Sequence, residues 1–102
     1  MTTKQTFTVP VPAKNQSIHH WISDKIEVLI FWKDGQLVVV NSICPHMGAQ
    51  LQYQSSKQLI TCPWHGLCFD ANSMLSNHKK FKAVYQWKVE KYDDISAQIV
   101  RK

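Results

Sequence analysis

The chain is expected to be all-β: an antiparallel β-sandwich or barrel base with a smaller subdomain, about residues 42–75, inserted between its strands. Three observations carry this. Apolar residues recur with period two, no segment shows a helical stripe over three turns, and turn chemistry separates the apolar runs. At 102 residues the chain forms one domain over 1–102, with room for a single small core and none for a second, catalytic domain.

Taken in order, Phe7, Val9 and Val11 alternate, but Pro10 and Pro12 cannot donate ladder hydrogen bonds, so this strand belongs at an edge. His19-His20 falls on a loop or an edge. Ile26, Val28, Ile30 and Trp32 mark one face of the next strand and Leu29 and Phe31 the other, which predicts burial on both sides. Asp34-Gly35 supplies two-residue hairpin chemistry, and Gln36-Leu37-Val38-Val39-Val40-Asn41 returns as the partner, rich in β-branched residues. Leu59-Ile60-Thr61 and Cys68-Phe69-Asp70 read as short strands leading into and out of a loop. A last hairpin joins 84–92 to 95–100 through Asp93-Asp94, a turn without glycine.

Composition narrows the function. Hydrophobic residues at 44% and charged residues at 19% suit an ordinary globular protein. The formal charge of +5 is too dispersed for nucleic-acid binding; its one dense patch is Lys79, Lys80 and Lys82, flanked by His78 and Phe81. That run reads as a solvated loop, with docking against an acidic partner as its functional alternative. The opening residues lack the apolar run of a signal peptide or anchor, and no stretch reaches the ~18 apolar residues of a spanning helix, so a cytoplasmic protein with no membrane association is expected. Three cysteines are an odd number for a disulfide framework. Cys68 is expected to be a small buried hydrophobe.

The chemistry lies in two short motifs, Cys44-Pro45-His46-Met47-Gly48 and Cys62-Pro63-Trp64-His65-Gly66. Each brings one thiol and one imidazole to a turn framed by proline and glycine. Two Cys and two His suit a cluster of two irons and two sulfides in which His replaces Cys on one iron. Pro45 and Pro63 stiffen the turns, while Gly48 and Gly66 are expected to let the backbone come close and leave amides free to point at sulfur. Two ferric ions, two sulfides and two thiolates sum to neutrality, and a neutral centre accepts an electron more readily than one carrying four thiolates. Such replacement raises potentials to roughly −150 to +300 mV, against about −400 mV for plant-type all-Cys clusters. His46 and His65, at the loop tips, would form the route by which electrons leave, with Met47 and Trp64 as an apolar docking rim.

With C-P-H-M-G and C-P-W-H-G-L-C-F-D, the chain resembles the Rieske family, and within it the soluble Rieske ferredoxins and ferredoxin-like domains of aromatic-ring oxygenases. The resemblance implies one Rieske-type [2Fe-2S] cluster, with Cys44 and Cys62 on one iron and His46 and His65 on the other. It also implies a carrier rather than an enzyme: a transient partner of a flavin reductase and a terminal ring-hydroxylating oxygenase, acting as a monomer. The respiratory-complex branch carries an extra cysteine in each loop; Ala49 and Trp64 stand at those positions here. Leu67 and Phe69 stand where that branch has a serine and a tyrosine, so these side chains cannot donate hydrogen bonds to sulfur. A potential toward the lower end of the Rieske range is expected. After Phe69-Asp70 the family's turn glycine is replaced near Ser73-Met74, and the run over 79–82 takes the place of a Pro-rich link.

Two other metal chemistries fit the residues less well. Cys₂His₂ is also a tetrahedral zinc set, but zinc motifs more often keep like ligands together, whereas each loop here mixes them. A mononuclear-iron oxygenase would have to use His19, His20 and His78, with too little chain to enclose a substrate pocket of ~300 Å³ or more. The Rieske part of a larger oxygenase and a small Rieske-like subunit of a nitrite-reductase type enzyme are the nearest alternatives. Met1 at the start and the polar Arg101-Lys102 at the end lead to the expectation of a complete small protein.

Overall fold

The computed structural model describes residues 5–45, 48–63, 66–77 and 83–102. Nine strands make two antiparallel sheets, with no helix among the described residues: β1 (Thr6–Pro10), β2 (Ser17–Trp21), β3 (Glu27–Lys33), β4 (Gln36–Asn41), β5 (Gln52–Gln54), β6 (Leu59–Thr61), β7 (Cys68–Asp70), β8 (Gln86–Tyr92) and β9 (Ser96–Val100). The larger sheet runs β1-β9-β8-β4-β3-β2, and the smaller runs β5-β6-β7. The segment carrying the smaller sheet leaves the base after β4 and rejoins it at β8.

Both edges of the larger sheet match their sequences. β1, with Pro10 as its last residue, pairs only with β9, and β2, which holds His19 and His20, pairs only with β3. Nothing in its periodicity marks β2 as a strand beforehand, and Gln52-Tyr53-Gln54 is equally inconspicuous as β5. The β3–β4 turn places Asp34 at φ 51° and Gly35 at φ 78°. Two consecutive positive values define the type I′ turn, whose twist suits the flanking strands. In the β8–β9 turn a side chain replaces glycine chemistry: the Asp93 carboxylate accepts the amides of Ile95 (2.7 Å) and Ser96 (2.9 Å).

The double burial of β3 organises the molecule. Val28 and Ile30 enter one buried cluster with Val9, Leu37, Val39, Trp87, Ala97 and Ile99, so the larger sheet curls and its two ends share a core. Leu29 and Phe31 point the other way and join Val38, Val40, Leu51, Ile60, Phe69, Met74 and both Cys44 and Cys62. Strands β3 and β4 are thus a wall common to base and insertion. Phe31 stacks on Tyr53 of β5 with ring centroids 3.9 Å apart, and Gln58 of the β5–β6 turn donates to the Asp34 carboxylate at 3.0 Å. These contacts fasten the small sheet to the hairpin of the large one. In the other core, Trp87 lies edge-on to Phe7 and donates its indole N–H to Asn41 at 2.7 Å, which satisfies its polar atom.

Candidate metal centre

The two Cys-Pro motifs form loops of the same construction. The Cys44 amide donates to the Ala49 carbonyl at 2.8 Å, and the Cys62 amide to the Leu67 carbonyl at 2.9 Å, so each loop closes five residues after its cysteine. Four residues after each cysteine stands a glycine in the left-handed region, Gly48 at φ 72° and Gly66 at φ 69°. A Cβ added at either would meet no atom within 4 Å among the described residues. Their left-handed backbone alone favours glycine at both positions. The Gly48 amide is not left free for sulfur, since it donates to the Cys44 carbonyl at 3.0 Å.

The loops differ in what supports their stems. The second is continuous with β6 and β7, where Thr61 faces Cys68 in register. The first has only an isolated bridge between Ile43 and Gln50, together with the Leu51 amide donating to the Ser42 carbonyl at 2.6 Å. A buried carboxylate completes it. Glu27 Oε1 accepts from Ser42 Oγ at 2.6 Å and from Gln50 Nε2 at 2.9 Å, one residue from each stem. Burial works to raise the Glu27 pKa, but these two hydrogen bonds and nearby His19 outweigh it and hold the carboxyl below its ordinary value. His19 Nε2 in turn donates to the Leu51 carbonyl at 2.7 Å.

A second side chain braces the other loop from outside. Asn77 Nδ2 donates to the Gly66 carbonyl and its Oδ1 accepts the Cys68 amide, both at 3.2 Å, while its own amide bonds the Cys68 carbonyl at 2.8 Å. The chain reaches Asn77 through a turn capped by Asp70, whose carboxylate accepts the amides of Asn72 and Ser73. Met74 closes that turn at φ 65° with its side chain buried.

Of the residues singled out from sequence, Cys44 (3% exposed) and Cys62 (5%) lie in one buried cluster beside Leu67. His46 and His65, with Met47 and Trp64, lie outside the described residues, as do His78 and the basic run over 79–82. Among the described residues no three Cys, His, Asp or Glu side chains converge as a metal set. Cys68 departs from expectation: it is half-buried rather than buried, because β7 lies at the edge of the small sheet. Glu27, Ser42, Gln50 and Asn77 were not foreseen. A lone acid opening an otherwise apolar strand is the signal that could have marked Glu27; Asn77 carries no local signal at all.

Two congruent loops that deliver their thiols into one apolar cluster, with an imidazole in each motif, fit a binuclear iron–sulfur centre of mixed ligation. Comparisons with known proteins agree. A family model for the Rieske [2Fe-2S] domain matches residues 8–92. The iron–sulfur subunit of the cytochrome b6-f complex from Chlorobaculum tepidum is 26% identical over 80 residues, 78% of this chain; the match spans only 43% of that relative's length. The ferredoxin of carbazole 1,9a-dioxygenase from Nocardioides aromaticivorans IC177 superposes with a TM-score of 0.70 at 17% identity, covering 94% of this chain and 99% of its own. A structure described as an NADH-dependent nitrite reductase small subunit from Mycobacterium tuberculosis gives a TM-score of 0.70 at 13% identity, covering 99% and 98%. At these identities the two structures speak for the fold. No helix among the described residues is long and apolar enough to cross a membrane.

Proposed function

The chain belongs to the Rieske [2Fe-2S] domain family, and on that premise we propose that it is a soluble ferredoxin carrying single electrons from a flavin reductase to a terminal ring-hydroxylating oxygenase. The observation that carries the reading is the pair of congruent loops closing over a common apolar cluster. In this reading Cys44 and Cys62 hold one iron, His46 and His65 hold the other, and 42–75 is the cluster-binding subdomain of a single-domain protein. The bound cluster supplies one-electron redox chemistry. The chain's own residues would set its surroundings: Leu67 and Phe69, 5% and 0% exposed, are apolar and would offer no O–H donor to sulfur. Fewer donors leave the reduced state less stabilised, which favours a potential low in the Rieske range.

Near-complete mutual coverage with a dioxygenase ferredoxin supports the carrier role, as does the lack in the loops of the extra cysteine pair that the resemblance assigns to the respiratory branch. A cytoplasmic, monomeric carrier without nucleic-acid or membrane partners follows from the same reading. The similarity to a nitrite reductase small subunit favours a second reading, an electron-transferring subunit of such an enzyme. The test is direct. Protein purified anaerobically should be red-brown, contain iron and labile sulfide in equal amounts, and give a reduced-state EPR signal of mixed ligation that H65A abolishes. Reduction by an oxygenase-type flavin reductase then separates the two readings. Colourless, iron-free protein after reconstitution would refute both.

A further inference from the structure

The stems of the first loop pair only through the isolated Ile43–Gln50 bridge and its flanking backbone bonds, and a buried carboxylate from the larger sheet ties them together from the side. Glu27 is 7% exposed and lies on β3, not on the loop. Its Oε1 is shared by Ser42, two residues before Cys44, and Gln50, two residues after Gly48. Its backbone carbonyl also accepts the Ser42 amide at 2.9 Å. We propose that Glu27 is the positioning residue of the first loop, setting the separation of its stems and placing a fixed negative charge at their base.

The inference rests on the assignment of Cys44 and His46 as ligands. Its charge environment is simple: His19 from β2 faces the carboxylate, and Lys25 lines the same small cleft as Glu27, Asn41 and Ile43. Two roles follow from the two properties of the group. As an acceptor shared by both stems it resists opening of the loop. As an anion it opposes electron uptake. Ser42 lies at most about 7 Å along the chain from Cys44, which puts the charge within about 15 Å of the thiolate. At an effective dielectric of about 20, a charge at that limit changes the reduced-to-oxidised ratio by about sixfold, and by more if it is nearer.

Three variants separate these roles in the cluster-loaded protein. E27Q keeps an acceptor oxygen but removes the charge. It should raise the midpoint potential by at least about 45 mV, a sixfold shift for a one-electron couple, with a reduced-state EPR spectrum close to wild type. S42A and E27A remove stem contacts and should accelerate bleaching by an iron chelator several-fold; S42A keeps the measurement available should E27A fail to fold. If E27Q retains the wild-type potential and S42A the wild-type bleaching rate, Glu27 only stabilises the sheet and the proposal is overturned. Failure of the ligand assignment looks different, because the wild-type protein itself would then lack the mixed-ligand EPR signal.

Discussion

Replacing Asn77 by alanine removes a side-chain brace of the second loop. Two hydrogen bonds are lost, to the Gly66 carbonyl and from the Cys68 amide, each 3.2 Å long. The backbone bond from the Asn77 amide to the Cys68 carbonyl survives, so β7 keeps its neighbour and the effect is confined to the side chain. Each such bond contributes about 0.5–1.5 kcal/mol net, and Asn77 is exposed, so the loop should lose about 1–2 kcal/mol against local opening. That corresponds to a factor of about 5–30 in the open population. When opening is fast relative to capture, loss of the cluster's visible absorbance under excess chelator should accelerate by the same factor. N77D is a sharper probe: it still accepts the Cys68 amide but sets a carboxylate oxygen against the Gly66 carbonyl, so it should bleach at least as fast as N77A. Wild-type bleaching in N77A, with native circular dichroism, would refute the brace.

Two further outcomes follow from local conformation and charge. Met74 combines a left-handed backbone, costing about 1–2 kcal/mol, with a buried side chain whose truncation to alanine costs about 2–5 kcal/mol. The thermal midpoint should therefore fall in the order wild type, M74G, M74A, since glycine relieves the strain that alanine retains; a midpoint for M74A at or above that of M74G contradicts this. Hydrogen bonds from the amides of Ser96 and Ile95 hold the Asp93 carboxyl below its ordinary range, and those from Ser73 and Asn72 do the same for Asp70. A carboxylate with a depressed folded pKa stabilises fully above its unfolded value, about 3.9, and loses that contribution as pH falls through the folded one. Stability should accordingly decline below about pH 4, less steeply in D93N, and parallel acid limbs for D93N and wild type would count against the Asp93 turn as a cause.

Local patterns made much of the fold legible. Alternation over 26–32, the Asp34-Gly35 pair and the β-branched return strand express period-two geometry and turn chemistry, which act between neighbours in the chain, and β3, its turn and β4 follow them. Prolines placed β1 at an edge for the same reason, and the short strands β6 and β7 lie on either side of the second loop as expected. The polar strand β2 and the strand β5 escaped because their pairing is imposed by β3 and β6, not by their own periodicity.

The family and the proposed donor residues were legible in two pentapeptides, since thiol, imidazole, proline and glycine carry their chemistry wherever they are placed. The support of the loops was decided in three dimensions. Glu27 reaches Ser42 and Gln50 across separations of 15 and 23 residues, and Asn77 reaches Gly66 across 11. Such bonds depend on which strands become neighbours when the apolar faces of β3 are covered, a choice made by burial of the whole core and by no local motif.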